Sequence, residues 1–306
     1  MNKTIKNKIL SIALLLSVAI IWGFAFVAQA SAGDISPLAF TGMRFLLGVC
    51  VVLPVALILE KGKTDKKAWL RTLLYGALSG IALFLACFAQ HTGIEITQSA
   101  GKSGFITAFY TVLVPIASCI IYRQKKPLNV WIGAILAMVG LFLLGVNEAF
   151  TVGIGELLLF VCACLWTVQI MIVDVSLRKG VSPLKFSMTQ FFVCGIIGTL
   201  LALIFETDSF SISAIKGGLI PLLYAGIMSV GVAFTLQVVA QKRSEPATAA
   251  IILSTESLFA AIGGAIILHE RMTMRGYIGC AVMFVGILLS QTDFKALLNK
   301  KNEKEV

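Results

Sequence analysis

Ten stretches of roughly 20 mostly apolar residues follow one another along the chain, at about 9–30, 37–59, 70–90, 99–121, 128–147, 154–175, 183–205, 218–239, 247–268 and 274–292. A helix rises about 1.5 Å per residue, so each stretch is long enough to cross the roughly 30 Å hydrocarbon layer of a bilayer. Backbone polar groups in lipid must be satisfied within the structure, which makes such runs helices. Short connections leave almost no chain for a soluble domain. Apolar residues are 58% and charged residues 13% of the chain, against roughly 45–50% and about 25% in an ordinary soluble domain. That balance excludes a water-soluble globule, whose polar groups would not cover its surface, and it excludes disorder. The expected fold class is all-α integral membrane, with ten transmembrane helices.

Pro37, Pro127, Pro183 and Pro246 stand where helices should start, and a missing N–H costs little there. Pro54, Pro115 and Pro221 fall inside runs and are expected to kink them. The first run follows Lys3, Lys6 and Lys8 and ends in Ala28-Gln29-Ala30, a pattern resembling a signal peptide. It is longer than a signal core of roughly 7–15 residues and is read as a retained first helix. The excess of Lys and Arg on the cytoplasmic side sets topology. With the N-terminus inside, the inner segments carry 20 of the 25 Lys and Arg, and the outer ones only Lys216, Arg271 and Arg275. Both termini are therefore expected in the cytoplasm, with 293–306 as a basic tail, in a multi-pass protein of the cell membrane. The net charge of +10 is a topology signal, and no nucleic-acid motif accompanies it.

The two halves match at a nearly constant offset. Ser36-Pro37-Leu38-Ala39-Phe40 returns as Ser182-Pro183-Leu184-Lys185-Phe186, and Trp131-Ile132-Gly133 as Tyr277-Ile278-Gly279, both 146 residues on. Trp22 pairs with Trp166 at 144. Leu74-Tyr75 and Ala89-Gln90 pair with Leu223-Tyr224 and Ala240-Gln241 at 149 and 151, a drift assigned to loop lengths. The expected units are 9–147 and 154–292. Five helices is an odd number, so the second unit enters the membrane from the opposite side, giving two inverted five-helix repeats. Transporters use this symmetry because exchanging conformations between halves turns an inward cavity outward.

Further residues carry a resemblance. They are Trp22-Gly23 and Trp166, Arg44-Phe45, Gly155-Glu156, the stretch from Gly93 through Thr97-x-Ser99-Ala100-Gly101-Lys102-Ser103-Gly104-Phe105-Ile106-Thr107 to Val114-Pro115, and Glu256 with His269-Glu270-Arg271. Over about 9–292 the chain resembles the EamA-type transporters of the drug/metabolite transporter superfamily. It departs in Ser257, where the family often has proline after the glutamate, and in Gln124, opposite Glu270. The resemblance implies a ten-helix fold that exports small metabolites, often amino acids or toxic compounds, with some members importing.

Ionisable groups inside spans are costly and usually face a cavity or a partner. Arg44, seven residues past Pro37, lies about 10 Å into its helix, where its guanidinium could clamp a carboxylate or snorkel outward. Glu256, about 15 Å into the ninth span, could take a proton or a substrate amine, so proton coupling is an expectation. Tyr110 is its repeat partner. Lys102 could add positive charge near Arg44. Gln190, the repeat partner of Arg44, makes the halves differ by a full charge. Gln90 and other in-span glutamines supply hydrogen bonds, and Trp22 and Trp166 could wall a cavity. Asp174 and Glu156 are expected at the interface, and His91 and Glu95 in an outer loop. Gly133, Gly140, Gly279 and Gly286 suggest close helix contacts, as a scaffold or a homodimer seam.

The seven cysteines lie in apolar runs and read as small buried hydrophobes. No metal spacing, cofactor motif or nucleotide-binding loop appears. The leading expectation is a secondary transporter exporting a small amphipathic metabolite by alternating access. Uptake of a metabolite or vitamin is the alternative. A membrane-embedded lipid-modifying enzyme would need convergent catalytic groups, and no Ser/His/Asp set or carboxylate pair is present.

Overall fold

The apolar runs form helices, and no strand occurs among the residues that the computed structural model describes, which are 3–60, 65–97, 100–145, 153–267 and 274–291. In chain order the helices are α1 (Lys3–Ala30), α2 (Pro37–Leu59), α3 (Lys66–Thr97), α4 (Ala100–Thr107 and Tyr110–Tyr122) and α5 (Leu128–Gly145). The second half follows with α6 (Ile154–Arg178), α7 (Pro183–Phe205), α8 (Leu219–Gln241), α9 (Pro246–Leu253 and Glu256–Ile267) and α10 (Met274–Gln291). Among the described residues, eight helices are long and apolar enough to cross a membrane, and α5 and α10 contribute shorter apolar helices. The tail expected at 293–306 lies outside the described residues.

Pro37, Pro183 and Pro246 each open a helix behind an extended residue, Ser36, Ser182 and Glu245. The outward-facing side chains are those that water rejects and lipid accepts: Leu59, Ile120 and Phe205 are all more than two-thirds exposed. Helix α1 is not peripheral. Leu15, Val18 and Ala19 are fully buried, and Ser11 Oγ donates to the Ala240 carbonyl at 3.0 Å.

Two pairs of equivalent helices, α2 with α7 and α5 with α10, pack against each other antiparallel. On α2 and α7, Gly42 faces Gly198 and Thr199, while Leu46 faces Gly195. On α5 and α10, Gly133 meets Gly286 and Ser290, and Gly140 meets Gly279 and Met283. The glycine seam thus joins α5 to α10 within one chain. A pair of acidic residues 146 positions apart seals the arrangement. Glu206, at the end of α7, accepts from Ala39 N in the first turn of α2 at 3.0 Å. Glu60, at the end of α2, accepts from Leu184 N and Lys185 N in the first turn of α7, each at 3.1 Å. A carboxylate at a helix N-terminus satisfies free N–H groups and the helix dipole together. Antiparallel packing of equivalent helices requires a pseudo-two-fold axis perpendicular to them, as the odd helix number predicts.

Three features depart from the sequence reading. Helix α3 runs on to Thr97, so His91 and Glu95 belong to a helix and not to a loop. His91 is buried, with its ring 5.4 Å edge-on from Phe40. Helices α4 and α9 are each broken, at Ala108–Phe109 and Ser254–Thr255, which are repeat-equivalent positions. Bonds to the third residue back tighten both breaks, Thr111 N to Ala108 O at 2.9 Å and Leu258 N to Thr255 O at 3.0 Å. The third departure is the drift in repeat offset from 149 to 151. It arises within α8, whose Tyr224–Phe234 segment of 11 residues is π-helical, where α3 stays α-helical. Each i→i+5 turn takes in about one residue more than an α turn, so this length absorbs about two extra residues.

Candidate functional site

Trp22, Ala25, Phe26 and Gln29 recur at the three- and four-residue steps that place side chains on one face of a helix. That face of α1 forms one wall of a central cavity of about 20 Å³. The other walls are Arg44 from α2, Cys87 and Gln90 from α3, Trp166 from α6, Ser229 and Phe234 from α8, and Glu256 from α9. Both halves therefore contribute.

Two pairs of repeat-equivalent residues meet at the centre. Tyr110 Oη donates to Glu256 Oε1 at 3.2 Å, each residue being the first after the break in its helix. Trp22 and Trp166 lie 5.7 Å apart between ring centroids. Residues that the symmetry exchanges can touch only near the axis, so both pairs mark it. Phe234 completes an aromatic group, 4.5 Å from Trp22 and stacked on Trp166 at 5.7 Å. Trp22 Nε1 donates to the Ser229 carbonyl, inside the π-helical stretch, at 3.4 Å. The two extra residues of α8 thus lie beside the cavity.

Arg44 is 2% exposed, so its head does not snorkel to an interface. Its Cζ lies 5.2 Å from the Phe45 ring and 5.7 Å from the Phe40 ring, and its Nε has no hydrogen-bond partner among the described residues. No carboxylate among the described residues forms an ion pair with it. Glu256 is 6% exposed, and among the described residues its side chain bonds only to Tyr110. The cavity thus carries a buried cation on one wall and a buried carboxyl group on another, not joined to each other. A guanidinium so placed can hold a carboxylate through paired N–H donors, and a carboxyl group can receive an ammonium or a proton.

Of the residues expected from the sequence, Arg44, Glu256, Trp22, Trp166 and Gln90 line the cavity, and Tyr110 supports it from behind Glu256. Gln190 does not reach it and bonds to Ser79 instead, at 2.8 Å. The side chain of Lys102 lies outside the described residues, as do Gln98 and His269-Glu270-Arg271. Asp174 is buried rather than interfacial, accepting from Arg178 Nε at 2.7 Å and from the Tyr122 hydroxyl. Sequence reasoning missed Ser229 and Phe234, because apolar periodicity gives no sign of a π-helical turn. It missed Phe26 and Cys87 because they match their neighbours in hydrophobicity.

A bundle of two inverted halves with a polar cavity on their common axis has the architecture of a membrane transporter. The model of the EamA-like transporter family matches residues 9–146 and again 153–292, and the chain belongs to that family. An uncharacterized transporter of Archaeoglobus fulgidus is 30% identical over 273 residues, 89% of this chain and 82% of that protein. The uncharacterized transporter YoaV of Bacillus subtilis is 21% identical over 92% of this chain and 96% of its own. One solved crystal structure superposes with a TM-score of 0.76 at 17% identity, covering 92% of this chain and 97% of that one, a likeness of fold. The protein is a multi-pass membrane transporter.

Proposed function

We propose that the protein exports a small zwitterionic, amphipathic metabolite, an amino acid or a close relative, by alternating access without ATP. The observation that carries this reading is the unjoined pair of Arg44 and Glu256 in one aromatic-walled cavity. Arg44 would hold the substrate carboxylate and Glu256 its ammonium group, while Trp22, Trp166 and Phe234 would flank the apolar part. The cavity of about 20 Å³ has room for little more than a water molecule. Substrate therefore binds in a more open arrangement, reached when the halves exchange conformations. In this reading a proton on Glu256 replaces the ammonium during the return step, which couples flux to the pH gradient. The positive charges of the even-numbered connections and of the two ends support a cytoplasmic position for both termini. The outward direction rests on the family resemblance.

Proteoliposomes loaded with each of the twenty proteinogenic amino acids in turn, with and without an imposed pH gradient, test this. Selective release of one or a few, faster under the gradient, is expected. No release of any amino acid would overturn the amino-acid reading, and gradient-driven uptake in right-side-out vesicles would overturn the direction.

A further inference from the structure

The pseudo-symmetry has an image of the cavity wall. At the repeat offsets, Trp22, Ala25, Arg44 and Gln90 correspond to Trp166, Gln169, Gln190 and Gln241. Three of these four images are glutamines. Gln169 and Gln190 are completely buried and Gln241 is 3% exposed, with the fully buried Gln237 and Ser79 beside them. They come from four helices, α3, α6, α7 and α8. Their bonds are mostly long: Gln169 Nε2 to Gln190 Oε1 at 3.4 Å, Gln237 Nε2 to Gln169 Oε1 at 3.3 Å, and Gln241 Nε2 to the Ile170 carbonyl at 3.5 Å. Ser79 Oγ to Gln190 Oε1 is the short one, at 2.8 Å. Even so, Gln190 Nε2, Gln237 Oε1 and Gln241 Oε1 have no partner among the described residues.

Buried amide atoms are almost always satisfied, because an orphaned donor or acceptor forfeits the hydrogen bond it had in water. Three orphans in one cluster describe a polar site closed on itself. Its position fits that description. Gly42 faces Gly198 and Leu46 faces Gly195, which sets Gln190 about 10 Å from Arg44 along the pair, toward the end where α7 begins. In an inverted repeat, the image of a cavity open in one state is the place that opens in the other.

We propose that the glutamine cluster is a second substrate-binding site, which receives the carboxylate end of the transported molecule when the protein opens toward the face where α7 begins. The assignment rests on the function proposed above. Amide N–H groups hold a carboxylate without a net charge, so the grip is weaker there than at Arg44. The exported molecule is accordingly taken up at the neutral site and passes on to the tighter one at Arg44.

Two measurements test it. The first replaces Gln190 by Cys in a chain whose seven native cysteines are changed to Ser, and exposes folded protein in oriented membranes to a water-soluble maleimide. Modification is expected from the face where α7 begins, and saturating amounts of a transported amino acid should suppress it. Absence of modification from either face would overturn the proposal. The second compares Gln190→Arg with Gln190→Glu in oriented vesicles. Arg should lower the half-saturation concentration from that face about tenfold and Glu should raise it by a similar factor, because a charged donor outweighs a neutral one by that much. Equal impairment by both would mean that Gln190 only packs helices, and would overturn the assignment. Labelling without flux of any amino acid sinks the function proposed above and leaves the site standing. Flux without labelling does the reverse.

Discussion

Replacing Gly198 by Ala should loosen the contact that holds the two halves together. A Cβ at that position would sit 2.8 Å from Gly42 N, 2.9 Å from Gly42 Cα and 3.3 Å from the Leu38 carbonyl oxygen. Ordinary carbon contacts lie at about 3.5–4.0 Å, so the new methyl group lacks roughly 0.6 Å or more. The obstructing atoms are backbone on both sides, so no side chain can rotate away and α2 and α7 must part. A radial gap of about 0.5–1 Å forfeits a quarter to a half of each contact's attraction. Membrane helices associate largely through such packing, and overpacking of this kind costs about 1–3 kcal/mol. At roughly 2 °C per kcal/mol for a chain of this size, the Tm in detergent should fall by about 2–6 °C. Arg44 lies two residues beyond Gly42 on the same helix, so flux should fall with it. Gly217, where an added Cβ meets nothing within 4 Å, is the control, and Gly217→Ala should leave the Tm unchanged. A Gly198→Ala protein that melts with the wild type would refute the claim that this backbone contact sets the spacing of the halves.

Arg44→Lys keeps the charge but loses the planar fork, and should raise the half-saturation concentration for carboxylate substrates about tenfold or more in initial-rate flux assays. Arg44→Leu should abolish their transport, and a carboxylate substrate indifferent to both changes would remove Arg44 from the site. Tyr110→Phe strips Glu256 of the hydrogen bond from Tyr110 and should cost about 1–3 kcal/mol in thermal or denaturant unfolding. Glu256→Gln retains an acceptor for Tyr110 and should destabilise less. It should nevertheless abolish pH-driven flux while leaving substrate exchange intact, and an unchanged pH dependence would end the coupling idea. Glu60→Gln and Glu206→Gln each weaken one helix cap by about 0.5–1 kcal/mol, and being at opposite ends of the α2–α7 pair they should add in the double variant. Clear non-additivity in paired melts would count against two independent caps.

Hydrophobic run length, proline placement and the internal offset were enough to read the helical class and the inverted halves, and they singled out Arg44 and Glu256. Each depends on a local rule: how many residues cross a bilayer, which residues can begin a helix, and whether a repeat holds an odd number of helices. The meeting of Trp22 with Trp166, and of Tyr110 with Glu256, was latent in the same offset, because residues that a two-fold axis exchanges can touch only beside it. The offset also relates Glu60 to Glu206, but nothing in either residue's surroundings announces a cap on the opposite helix.

Tertiary structure decided the rest. Whether Arg44 snorkels or faces inward depends on neighbours from other helices, and the burial of its head is a fact of packing alone. Gln190 and Arg44 occupy matching positions in sequence, yet one closes on other glutamines and the other faces the cavity. A single conformation breaks the symmetry that the sequence nearly preserves. The two extra residues of α8 became a π-helical turn against the cavity rather than a longer loop, since a helix held at both ends by packing takes up an insertion by widening. Sequence fixes which groups can be exchanged between the halves, whereas only the assembled bundle selects which half is closed.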